Sequence, residues 1–200
     1  MRKYLTIAGT LFFLLAAQFL TLLMFGEAMA PGYVVHDNAI SDLGVIPETA
    51  ALFTLSLVLV GALNIIGGYY YFLVHRKLGL LAIYILAGIG AIGAGLVSLD
   101  SPLGVHGLFA LLAFLFFNLE AVATARLVYG PMKAIAAVAG LIGLVFLIIM
   151  FLGDAGAADL FGPIGHGGAE RMIAYPPMVW LMAMGGYLMA ARARTEDQAT

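Results

Sequence analysis

Six long, predominantly apolar runs follow one another within 200 residues, and they leave this chain almost no choice of fold. A run of roughly 17–25 such residues is what one α-helix needs to cross the hydrocarbon core of a bilayer. The runs are Tyr4–Phe25, Ala50–Val74, Leu78–Leu99, Val105–Val128, Met132–Leu152 and Pro176–Ala191, the last with an earlier start also compatible with the sequence. Hydrocarbon offers backbone N–H and C=O groups no water, so each run must satisfy its own polar groups as a helix. At 64% apolar and 10% charged residues, the chain departs far from soluble domains, which run to about 45–50% and about 25%. The expectation is an all-α integral membrane protein, one six-transmembrane helix bundle over residues 1–200. The second and third runs, and the fourth and fifth, are joined by a few residues only, so these neighbours pair as antiparallel hairpins.

The cations orient the bundle. Arg2 and Lys3 precede the first run, Arg76 and Lys77 join the second to the third, Arg126 and Lys133 flank the turn before the fifth, and Arg192 and Arg194 follow the sixth. With an even number of spans all of these fall on one side, and Arg171 alone falls opposite. The positive-inside rule then sets both termini in the cytoplasm of a cell-membrane protein. The other side carries Glu27, Asp37, Asp42, Glu48, Asp100, Asp154, Asp159 and Glu170.

Met1-Arg2-Lys3, an apolar run and Ala28-Met29-Ala30 imitate a signal peptide. The run is longer than the usual 7–15 residues and Pro31 would follow the cut, so the first span is expected to be retained. Zero Cys removes disulfides and thiol chemistry. No basic, aromatic-interleaved stretch points to nucleic acid. Membrane lipids are the expected partners, and a second copy or another membrane protein is compatible with the sequence.

Within the third run, Gly88-x-Gly90-x-x-Gly93 imitates a dinucleotide fingerprint, but that motif needs a preceding strand and a phosphate-facing helix start. Ala87, Ala91 and Gly95, with Gly90 and Ala94, instead form small-xxx-small faces for close helix contact. The third span is therefore expected to be the most enclosed. Glu120 is the one ionisable side chain well inside a span, with Asn64 as a candidate partner and Asn118 on another face. An intramembrane acid reads either as a proton or cation site or as a buried hydrogen bond between helices.

Three connections on the acidic side carry one His each: His36, His106 and His166. Each leads into an even-numbered helix whose N-terminus, the positive end of its dipole, points the same way. Pro47, Asp100-Ser101-Pro102 and Pro176-Pro177 mark the expected starts. One chemistry is a metal site, in which the three His and a carboxylate such as Asp42 or Asp100 bind Zn²⁺. A second is recognition of an anionic head group by Arg171, with Glu170, His166, His106, Ser41, Asp42, Asp100 and Tyr175 around it. Haem ligation fits least, because only His106 lies at a span. Beside these stands a purely structural role, in which the polar side chains cap helices and loop backbone and Glu170–Arg171 fastens the last loop.

Ile40-Ser41-Asp42-Leu43-Gly44, Pro47-Glu48 and Phe53 resemble the first loop of the Frag/DRAM/Sfk superfamily of six-span membrane proteins. The whole chain is more similar to a prokaryotic family known as domain of unknown function 998. That family shows a comparable Ser-x-Leu-Gly segment, a His opening a middle helix (here His106), and a Glu-Arg followed by Tyr-Pro (here Glu170-Arg171 and Tyr175-Pro176). The resemblance implies six spans and one site formed by the loop residues, with no assigned reaction.

The functional expectation is an extracytoplasmic polar pocket that binds, or binds and modifies, a lipid or other anionic amphiphile. In it Arg171 holds the head group, and His106, His166 and Asp42 are the acid–base candidates. The alternatives are a metal-dependent membrane hydrolase using His36, His106 and His166, and a non-catalytic scaffold or accessory subunit.

Overall fold

The computed structural model describes residues 1–190, so Arg192 and Arg194 and the last residue of the expected sixth span lie outside the described residues. Six α-helices are long and apolar enough to cross a membrane: α1 (Arg2–Met29), α2 (Ala50–His75), α3 (Leu78–Leu96), α4 (His106–Thr124), α5 (Pro131–Asp154) and α6 (Gly165–Ala190). No strand occurs among the described residues. The chain is a multi-pass membrane protein with the all-α, six-helix architecture its apolar runs dictate.

The helices form a closed ring. Each packs on its neighbours in the chain, and α6 returns to pack on α1 while also touching α4. Small residues permit the closest seams, as expected where van der Waals contact replaces the hydrophobic drive between helices. A side chain at Gly9 of α1 would meet the Gly185 carbonyl oxygen of α6 at 2.7 Å. The glycine face of α3 is shared between two neighbours: Gly88 and Gly95 lie against α2, and Gly90 and Gly93 against α4.

Enclosure is distributed differently from the sequence expectation. Fourteen of the 26 residues of α6 are buried, against nine of the 19 of α3 and five of the 24 of α5. The long side chains Leu141, Val145, Ile148 and Phe151 of α5 face outwards. So α6, not α3, is the most enclosed helix.

The start of α6 is the largest departure from the expected boundaries. Pro176 and Pro177 do not open the helix; they lie inside one that begins at Gly165. A proline within a helix removes the N–H that the carbonyl four residues earlier would accept. For Pro177 that carbonyl is Ile173, and Asn118 of α4 donates its Nδ2 to it at 3.0 Å. Asn118 also donates to Phe114 in its own helix at 2.8 Å. A polar side chain from the neighbouring helix thus satisfies the freed carbonyl, which is how a membrane helix tolerates proline. The other starts shift less: α4 opens at His106, after the Asp100-Ser101-Pro102 turn, and α2 at Ala50, after Pro47.

Lower in the bundle, Glu120 is fully buried on α4. Asn64 of α2 donates its Nδ2 to the carboxylate at 3.0 Å and to the Tyr84 carbonyl of α3 at 3.1 Å. The Tyr84 hydroxyl faces Thr124 of α4 at 3.4 Å. Asn64 therefore ties three helices together, with Glu120 as its partner on α4. Asn118 points away from it, towards α6.

Candidate functional site

His36 in the first loop, His106 at the start of α4 and His166 in the first turn of α6 lie at one end of the ring, and the first loop is held down by two adjacent residues of α6. Arg171 and Glu170 are both buried, and they grip opposite parts of it. The Arg171 guanidinium donates Nε and Nη2 to Glu27 Oε1, at the end of α1, at 3.0 and 2.7 Å. Its Nη2 also donates to the Tyr33 hydroxyl at 2.6 Å. Its Nη1 faces the carbonyls of Gly167, Asn38 and Val35 at 2.7, 3.1 and 3.3 Å. Guanidinium has five N–H donors and no acceptor, so its capacity is used within the protein.

Tyr33 extends the clamp. Its hydroxyl donates to the Ala39 carbonyl at 2.7 Å while accepting from Arg171. Burial pushes the Tyr33 phenol up to about 12, against the opposing pull of the Arg171 charge. Tyr175 lies beside the same Glu27–Arg171 pair.

Glu170 holds the 3-10 turn Ile40–Gly44, its carboxylate accepting the backbone N–H group of Ile40. Asp42 caps the same turn from within, accepting from Ala39 N at 3.0 Å and from Asn38 Nδ2 at 3.1 Å. Close approach makes this possible. Gly165 has a positive φ of 67°, and a side chain at Gly167 would collide with the Val35 and Asn38 carbonyls that Arg171 also reaches.

Two sequence expectations are corrected here. Arg171 does not reach out for a head group: its donors are spent on Glu27, Tyr33 and loop carbonyls. Nor does Glu170 pair with it as the fastening ion pair. That partner is Glu27, whose carboxylate accepts a short charge-assisted hydrogen bond from the guanidinium, with the Arg171 and Glu27 side chains 7% and 17% exposed. Glu27 carries no signal beyond being an acid at a span end, and Tyr33 reads as an interfacial anchor.

The three His do not converge. His36 is exposed and lies 2.5 Å from its neighbour Asp37. His166 Nε2 faces Asp154 Oδ1 at 3.2 Å, with its ring edge-on to Phe161. His106 is buried, with Nδ1 at 2.6 Å from the Val97 carbonyl. Among the described residues no group of three His, Asp or Glu side chains is placed to hold a metal ion. The three-His zinc centre considered from sequence is therefore corrected: the donors are spread over separate pairs. Asp100, its other candidate ligand, accepts from the Ser98 hydroxyl at 2.6 Å in an exposed turn.

What the loops do build is a groove of about 870 Å³ along the seam of α4 and α5. Leu111 and Phe114 of α4 and Leu147, Ile148 and Phe151 of α5 form its apolar walls. Asp37, Ser41, Asp42, Asp154, His166 and Glu170 line its loop end, and among the described residues no Lys or Arg lines it. Behind it lies a smaller, largely apolar cavity of about 60 Å³ inside the ring, against Phe19, Phe53 and Phe117. Ser41, His106, Ala110, Phe114 and Glu170 line both spaces. The exposure of α5 explains the seam, because the least enclosed helix leaves its neighbour α4 partly uncovered.

No curated protein and no solved structure matches the chain. Residues 7–187, nearly its whole length, match one family, in keeping with the resemblance carried by its loop motifs. The chain belongs to the family described as Protein of unknown function (DUF998).

Proposed function

We propose that this membrane protein binds a bilayer amphiphile in the groove between α4 and α5. The tail lies along Leu111, Leu147, Ile148 and Phe151, and the head reaches the polar end near His106, His166 and Glu170. The positive-inside rule sets that end outside the cytoplasm of the cell membrane. The carrying observation is the gradient within one groove, from an apolar wall facing lipid to a cluster of His and acidic side chains. Concave, mostly apolar sites with a few convergent polar groups are the usual form of small-molecule sites.

The chemistry of the lining favours a head group other than an anion. Arg171 is engaged elsewhere, and Asp37, Asp42, Asp154 and Glu170 would repel a phosphate or carboxylate. Most polar loop residues serve the scaffold, so the ligand-facing role falls on the few that line both spaces.

The test is lipid mass spectrometry on purified protein and on Ala110→Phe, which fills the junction of groove and cavity. Loss of a defined co-purifying amphiphile from the folded variant is expected. The same retained species in both proteins contradicts the proposal.

A further inference from the structure

The Val97 carbonyl can only accept, so His106 Nδ1, 2.6 Å away, must carry the ring hydrogen. In the neutral ring Nε2 is then an acceptor with a free lone pair. That atom is buried and has no hydrogen-bond partner among the described residues, on a residue only 5% exposed that lines both the groove and the inner cavity. Buried polar atoms are nearly always paired, and an orphan among apolar walls marks a place for a missing donor.

The surroundings narrow that donor. The cavity is walled by aromatic and aliphatic side chains, with Ser41, His106 and Glu170 as its polar residues. At about 60 Å³ it has room for about four water-sized bodies. That suits the hydroxyl end of a small head group, whereas a phosphorylated one would bring its charge into a cavity that no Lys or Arg among the described residues lines. An ammonium would have to leave water for a cavity whose carboxylate, Glu170, already accepts the Ile40 N–H. Burying a charge without a dedicated partner is far more costly than burying a hydroxyl that finds an acceptor. A carboxylate head offers His106 no donor.

We infer that the inner cavity is a head-group subsite for an uncharged, hydroxyl-bearing amphiphile, whose hydroxyl donates to His106 Nε2. The inference rests on the groove holding an amphiphile and names the class of its head group. Ser41 and Glu170, at the same junction, flank the entering group.

The test is radiolabelled 1-oleoylglycerol on the full-length protein in detergent, displaced by the unlabelled compound, its 2,3-di-O-methyl ether, oleylamine or oleate. Unlabelled 1-oleoylglycerol is expected to displace the label about ten-fold better than the other three, the scale of one buried acceptor left unmade. His106→Phe is expected to weaken 1-oleoylglycerol about as much. The methyl ether acts on the wild-type protein, so the answer does not depend on how a His106 variant folds. Equal displacement by the ether, or stronger displacement by the amine or the oleate, overturns the hydroxyl assignment while leaving the groove. Absence of saturable binding by any of the four overturns the groove and the subsite together.

Discussion

Arg171 and Glu27 stand 144 residues apart in the chain, yet the guanidinium donates twice to one oxygen of that carboxylate, at 3.0 and 2.7 Å. The pair joins the end of α1 to the start of α6 and closes the helix ring at the loop end. Around it, Tyr33 and the carbonyls of Val35, Asn38 and Gly167 take the remaining donors, so the first loop is folded around a cation.

Arg171→Ala is therefore expected to act on stability first. Breaking a buried, hydrogen-bonded ion pair from one side costs about 3–5 kcal/mol, because the other charge is left without its partner. Arg171→Lys is expected to recover only part, since an ammonium cannot reproduce the planar fork. Equilibrium unfolding of both variants in detergent checks this. An Arg171→Ala protein as stable as wild type would show that the clamp contributes nothing.

Asn118 and Pro177 form a coupled pair across α4 and α6. Asn118→Leu leaves the Ile173 carbonyl without a donor in an apolar interior, a loss of about 1–3 kcal/mol. Pro177→Ala restores an N–H for that carbonyl. A double-mutant cycle is expected to give a favourable coupling, with Asn118→Leu costing less in the Pro177→Ala background. Additive effects would mean that the carbonyl finds its partner elsewhere.

Tyr33 sets a pH dependence on the alkaline side. Its phenol is raised from 10.0 to about 12 in the folded chain, so the fold holds the proton more tightly than the unfolded chain does. The corresponding stabilisation is present in full below pH 10 and is lost as pH rises through about 12. The stability difference between wild type and Tyr33→Phe is expected to shrink over that window. A difference that stays flat or grows contradicts the sign.

For Glu120, the neutral isostere is the informative change. Glu120→Gln keeps an oxygen for Asn64 Nδ2 and is expected to leave stability within about 1 kcal/mol of wild type, whereas Glu120→Leu costs about 1–3 kcal/mol by removing that acceptor from a buried network. Thermal unfolding of the two variants separates them. If Gln destabilises as much as Leu, the carboxylate is needed as such and a proton or cation role returns.

The helices were legible because a bilayer imposes length and apolarity on every span, and both are local properties. The first turn of α6 was not: Pro176-Pro177 carries a strong local signal for a helix start, and only Asn118, 59 positions before Pro177, shows why it fails. Glu120 with Asn64 could be anticipated, since an intramembrane acid needs a polar partner and few polar residues were on offer. Arg171 stands out in the sequence as the cation apart from the rest, but its partners come from α1 and from loop carbonyls that leave no trace in a pattern of residue types. The three His misled for the same reason: separate loops can share one end of a bundle without bringing their side chains together.

The groove is tested most directly by photo-crosslinking with a diazirine-tailed 1-oleoylglycerol. Ile148 of α5, Leu14 of α1 and Leu55 of α2 are similarly exposed, at 61%, 50% and 54%, so simple contact with lipid would label all three alike. Adducts concentrated at Leu111, Leu147, Ile148 and Phe151, and removed by excess unlabelled 1-oleoylglycerol, are the predicted result. Equal labelling of Leu14, Leu55 and Ile148 that no competitor reduces would contradict a binding groove between α4 and α5.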